Sequence, residues 1–224
     1  MKKIFSMAVL ALFVSMTVNA QIGESKSRKI ETTVQVEDEG MASHYNRFIL
    51  GYAPTAFSID LKGVDNSTMH GFNTGWIGGW NITGRRIPLY LEGGFLMNMD
   101  FGEALYDSKS SATDIMLNFE LPVNVTYRWN IPNTSIHIAP FFGIHFKINA
   151  LLMNDDGDSY FDDDKFAYAD DMNRFQIGMQ TGVNFDLAHF TMGIGYNYDF
   201  MPICDPKGFK VTTGGFRFNI GLVF

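Results

Sequence analysis

Between Ile115 and Trp129 every second residue is large and apolar, through Leu117, Phe119, Leu121, Val123, Val125 and Tyr127. Asn118, Glu120, Asn124, Thr126 and Arg128 stand between them. Alternate side chains of a strand point to opposite faces. The run 113–129 therefore reads as a strand with one unbroken apolar face and one ionic face. Strands of globular domains average about 5–6 residues. A face this long demands an apolar partner of equal length, which is either a large core or a lipid bilayer.

The same asymmetry repeats along the chain. A first run, 46–54, sets Phe48, Leu50 and Tyr52 on one face. A second, 69–83, sets Phe72, Trp76, Trp80 and Ile82 against Gly71, Asn73, Gly75, Gly79 and Asn81. The third, 87–101, sets Leu89, Leu91, Phe95, Met97, Met99 and Phe101 against Tyr90, Glu92, Asn98 and Asp100. After the fourth, 113–129, a fifth at 134–150 sets Ile138, Phe142, Ile144, Phe146 and Ile148 against His137, Gly143, His145, Lys147 and Asn149. The sixth, 173–186, and the seventh, 189–200, repeat the pattern. An eighth runs from about Lys210, with Phe216, Phe218, Ile220, Leu222 and Phe224 against Arg217, Asn219 and Gly221. Connections alternate between tight ones (84–86, 130–133 and 186–188) and longer ones (55–68, 102–112, 151–172 and 201–209).

The count of faces decides between core and lipid. An eight-stranded closure has an interior just wide enough for side chains, too small for the Phe, Tyr and Trp of these rows. The opposite faces mix Glu92, Glu120, Arg128, Lys147 and Arg217 with glycines, an unsuitable exterior but a workable interior. Charged residues are 18% of the chain, against roughly 25% for a soluble domain. Mean hydropathy is only -0.02, as expected when half of each strand faces lipid. Trp80, Tyr127, Trp129 and Phe224 fall near one end of the strands and Phe101, Tyr198 and Phe200 near the other, where interfacial aromatic girdles belong.

Residues 1–20 read as a secretory signal: Lys2 and Lys3, the apolar stretch Ile4–Val18, then Val18-Asn19-Ala20 as a cleavage site. Removing them lowers the basic count from 17 to 15 against 24 acids, so formal charge moves from -7 to -9. That balance argues against a nucleic-acid partner. Residues 21–45 are polar and are expected to form a flexible periplasmic segment, with the barrel spanning 46–224. A single cysteine, Cys204, excludes an internal disulfide framework and is expected as a packed or free thiol in an outer loop.

Signal, eight alternating strands and a closing aromatic row together resemble the small outer-membrane barrels of the OmpA/OmpX type, grouped as outer membrane protein beta-barrel domain or porin family. The expected fold is all-β: a closed antiparallel eight-stranded transmembrane up-and-down β-barrel in the outer membrane of a Gram-negative bacterium, as a monomer in lipid. The resemblance implies that Phe216, Phe218, Ile220, Leu222 and Phe224 form the signal read by the barrel-assembly machinery.

Three candidate chemistries remain. Glu92, Glu120 and Arg217 count to similar heights, with Arg128 below and Lys147 above, and buried charges must pair. They are expected to form an ionic network closing the lumen; the alternative is a narrow ion-conducting pore. The loop acids Asp155, Asp156, Asp158, Asp162, Asp163 and Asp164 are a solvated surface or a weak divalent-cation site such as one for Ca²⁺, though no EF-hand register fits. Ser135, His137 and His145 share a strand, and a lipid A-modifying enzyme is the further alternative. The two histidines point inward, away from lipid, so no catalysis and no cofactor are expected. A structural or surface-interaction protein is the favoured reading.

Overall fold

The computed structural model describes residues 42–61, 66–84, 86–102, 113–154, 156–162, 164, 166 and 168–224. The expected signal peptide and most of the periplasmic segment lie outside them. Eight staves form the barrel. β1 is His44–Tyr52 continuing as Thr55–Ile59, β2 is Ser67–Asn81, and β3 is Leu89–Gly102. β4 is Asp114–Tyr127 with a short extension at Trp129–Asn130, and β5 is Ile136–Met153. β6 is Phe175–Leu187, β7 is Phe190–Asp199 and β8 is Val211–Val223. Each stave pairs antiparallel with its sequence neighbours, and β8 closes on β1 from Arg47↔Val223 to Tyr52↔Phe218. Closure leaves no stave edge unpaired, which a bilayer requires because it offers no water to backbone N–H and C=O groups.

The alternation is inverted relative to a soluble barrel. Phe142 is 61% exposed and Ile220 64%, whereas Glu120 and Arg47 are each 1% exposed. The apolar rows form the outer belt and the ions line the inside.

Alternation alone assigns 55–68 to a loop, but β1 resumes at Thr55 and runs to Ile59, and β2 begins at Ser67. Pro54 has no N–H to give the ladder, yet the register is kept, from Tyr52↔Phe72 to Thr55↔Met69. Polarity reverses at this level: Phe57 is fully buried inside while Ala56 and Ser58 are exposed outside. An apolar-outside pattern therefore misses the segment.

β5 also runs past its expected end at 150. Leu117 pairs with Leu151 but Asn118 pairs with Asn149, so Ala150 is an extra residue in β5. Such a bulge absorbs one residue and restores the faces beyond it. Leu152 then points into the lumen opposite Met116.

The short connections gather at one end, each with a residue at positive φ: Gly84 at 63°, Asn133 at 60° and Ala188 at 54°. At the other end, the described residues of loops 154–174 and 200–210 fold over the barrel mouth. Met172, Ile203 and Cys204 from these loops pack onto Phe57, Met69, Met116, Leu152 and Val211 from the wall. Backbone bonds Asn173 N to Ile203 O (2.8 Å) and Ile203 N to Val211 O (2.8 Å) hold the loops to the rim. At the turn end, Tyr45, Tyr90 and Val223 form a smaller apolar cluster. The lumen is thus apolar at its outer end and mixes rings with ionic groups at its turn end.

Candidate functional site

The inward face of every stave delivers polar groups into one column. Nearest the turns, Arg47 on β1 bonds Glu92 on β3 at 2.5 Å and Asp186 on β6 at 3.0 Å. Arg128 also reaches Asp186, at 2.9 Å, and the Thr191 hydroxyl donates to the same carboxylate at 2.8 Å. The Tyr45 ring lies against both guanidinium groups, its centre 4.6 Å from that of Arg47 and 4.8 Å from that of Arg128, and its hydroxyl donates to Glu92. A cation over a ring face is attracted by its quadrupole, so this arrangement fills the inner end of the lumen with charge and ring together.

Above it, Arg217 on β8 bonds Glu120 on β4 through both terminal nitrogens, at 2.6 and 3.2 Å. In an eight-stave ring β4 and β8 are opposite one another, so this pair crosses the lumen. Gln180 joins the two levels: its Nε2 donates to Asn124 Oδ1 at 2.7 Å, and Asn124 Nδ2 donates to Glu92 at 3.3 Å. Toward the outer end, Asp199 accepts from Lys147 and Thr213, and His145 Nε2 lies 2.6 Å from it. Asn98, Asn118 and Thr55 carry the hydrogen bonding on to Asp100.

The five charges singled out from the sequence all face the lumen, with different pairings from those their heights suggest. Glu92 belongs with Arg47, one level below the Glu120–Arg217 pair. Glu120 and Lys147 are register partners on β4 and β5, yet each takes its ion pair elsewhere. Arg47, Asp186 and Asp199 were missed. Arg47 and Asp199 sit at inward parity, a signal present in the sequence, while Asp186 stands in the sequence where the sixth run meets the 186–188 turn and is the penultimate residue of β6.

The inward glycines supply the space for these side chains. A Cβ on Gly178 would lie 2.5 Å from the His145 ring, one on Gly79 2.4 Å from Tyr45, and one on Gly71 2.2 Å from Asp100. Beside Arg47, Glu92, Asn124, Gln180 and Arg217 a cavity of about 30 Å³ remains, which is room for about two waters at ~10–15 Å³ each.

Ser135 and His145 do not meet: Ser135 lies at a turn, where its carbonyl accepts from Ala188 N, and His145 is bound to Asp199. Of the acidic loop, Asp155 and Asp163 lie outside the described residues. Among the described residues no three metal-binding side chains converge. Asp162 accepts from the Asp164 N–H at 3.1 Å, a local turn bond. On the opposite surface Phe216, Phe218, Ile220, Leu222 and Phe224 all face outward into the belt. Cys204 is a free, buried thiol; burial, with Asp171 and Asp205 nearby, pushes its pKa up to about 11.

Among solved structures, the chain is similar to Ail, the attachment invasion locus protein of Yersinia pestis, at 13% identity and TM-score 0.45, covering 82% of this chain and 100% of that one. Neisserial surface protein A (NspA) is similar at 16% identity and TM-score 0.45, with 83% and 100% covered. OprG of Pseudomonas aeruginosa is similar at 14% identity and TM-score 0.35, with 83% and 98% covered. No curated protein matches the sequence significantly. The family model described as outer membrane protein beta-barrel domain matches residues 71–205, more than half of the chain. An inverted, closed, eight-stave barrel whose sequence matches that model belongs to the outer membrane protein beta-barrel domain family and resides in the outer membrane.

Proposed function

We propose that this protein is a non-catalytic outer-membrane barrel with a structural or surface-interaction role, and that it does not conduct ions. The observation that carries this reading is the crossing of the lumen at successive levels by buried ion pairs, above all Arg217–Glu120 between opposite staves. An apolar cluster of loop and wall residues covers the outer end of that column, and Tyr45, Tyr90 and Val223 pack beside the ions at the turn end. An ion passing through would have to break pairs in a low-dielectric interior, where an unpaired charge costs several kcal/mol. The outer loops, of which the described residues of 154–174 and 200–210 pack onto the rim, are then the part offered to the surroundings.

Planar-bilayer recording of the reconstituted protein tests this against the narrow-channel alternative. Wild type is expected to give no stable openings. Steady cation- or anion-selective openings that change with Glu120→Gln would replace the structural reading with a pore. Lipid A mass spectra from cells with and without the protein are expected to be identical; a mass difference lost in His145→Ala would support the enzyme alternative.

A further inference from the structure

The outer belt contains a polar residue whose position needs an explanation. Asn46 lies on the lipid-facing side of β1, in line with Phe48 and Leu50. In hydrocarbon an unsatisfied amide costs several kcal/mol. Its Oδ1 accepts a hydrogen bond from the indole Nε1 of Trp76 on β2, at 3.1 Å. Its backbone is equally engaged on the other side: Asn46 N donates to Phe224 O at 2.7 Å, and Phe224 N donates to Asn46 O at 3.0 Å. The Phe224 ring meets the Trp76 ring edge-on, with centroids 5.1 Å apart and planes at 73°.

Three residues from three staves thus contact one another pairwise across the seam where β8 meets β1. Backbone bonds join Phe224 to Asn46, a side-chain bond joins Asn46 to Trp76, and a ring contact joins Trp76 to Phe224. The seam is the last pairing a barrel can make, since it joins the two ends of the sheet. We infer that Asn46, Trp76 and Phe224 form a clasp that locks the closed barrel. This gives Phe224 a second role in the finished structure, separate from any part it plays as a signal to assembly machinery. Asn46 is placed in the belt because the indole N–H, also facing lipid, needs an acceptor within reach.

The two roles separate when the urea-denatured chain refolds into phosphatidylcholine vesicles with no assembly machinery present. Folding is followed by the mobility difference between boiled and unboiled samples, and unfolding in urea by the same band shift. If Phe224 is only a signal, Phe224→Ala costs no more here than Phe142→Ala, which removes an equally exposed belt ring away from the seam. The clasp predicts that Phe224→Ala unfolds roughly three- to tenfold faster than Phe142→Ala, the range expected from an aromatic pair. Trp76→Phe keeps a ring in the belt but orphans the Asn46 amide, and it is expected to speed unfolding similarly. Trp76→Phe combined with Asn46→Leu removes donor and acceptor together. It should recover most of that loss, because replacing both partners by apolar groups is nearly neutral. All four chains keep an apolar belt, so folding itself is preserved. Unfolding of Phe224→Ala no faster than that of Phe142→Ala overturns the clasp, as does a double variant that unfolds as fast as Trp76→Phe alone.

Discussion

Single residues carry unequal burdens in this lumen. Arg47 is bonded to two carboxylates from two other staves and is 1% exposed. Arg47→Met leaves Glu92 with neutral donors and Asp186 with only Arg128 as a cation. Breaking a buried pair from one side costs about 3–5 kcal/mol, because the remaining charge is stranded. A large drop in the urea midpoint of band-shift unfolding is expected, with much of it restored when Glu92→Gln is added to Arg47→Met. Parity alone places Arg47 inside, since Phe48 and Leu50 beside it are outside. Its two partners could not be read the same way. They lie 45 and 139 positions away in sequence, and only the closed ring brings them together.

At the scale of an element, β5 is the informative case. Its outward row is regular until Ala150, where the extra residue interrupts the period. Deleting Ala150 removes the bulge and leaves the faces beyond it unchanged, because Leu151 already pairs with Leu117 and Leu152 with Met116. Leu152→Ala, by contrast, keeps the register and takes a fully buried side chain out of the outer apolar cluster. The deletion is expected to leave the urea midpoint of band-shift unfolding close to that of wild type, whereas Leu152→Ala should loosen the outer end and lower stability by about 2–5 kcal/mol, the cost of losing a buried Leu. A regular β5 was legible in the sequence as far as its period held. A bulge looks locally like the end of a strand, which is why Leu151–Met153 were not counted.

Across the whole molecule, the outer cap and the barrel below it form one packed unit. Cys204 reports on that packing from a loop outside the belt. It is buried in the cluster that joins loops to wall, and its pKa is raised to about 11. The thiolate is the reactive form, so at pH 8 the folded protein should alkylate far more slowly than urea-unfolded protein. Maleimide labelling measured by mass checks this; equal rates in the two states would mean the cap does not stay closed. Leu152→Ala should accelerate labelling in folded protein, because Leu152 and Cys204 share one buried cluster.

The sequence by itself determined which side chains face lipid and which face inward. Side-chain direction in a strand has a period of two, so a residue's face follows from its neighbours alone. The eight-stave count, the apolar belt and the inward placement of Glu92, Glu120, Arg128, Lys147 and Arg217 all come from that local rule. Only the tertiary structure decided which ions pair, where polarity reverses at Phe57, and which glycines accommodate His145 or Tyr45. Those facts depend on closure and on register around the whole ring. Neither is a local property, because each is fixed by staves far apart in sequence meeting across a lumen that exists only once β8 has joined β1.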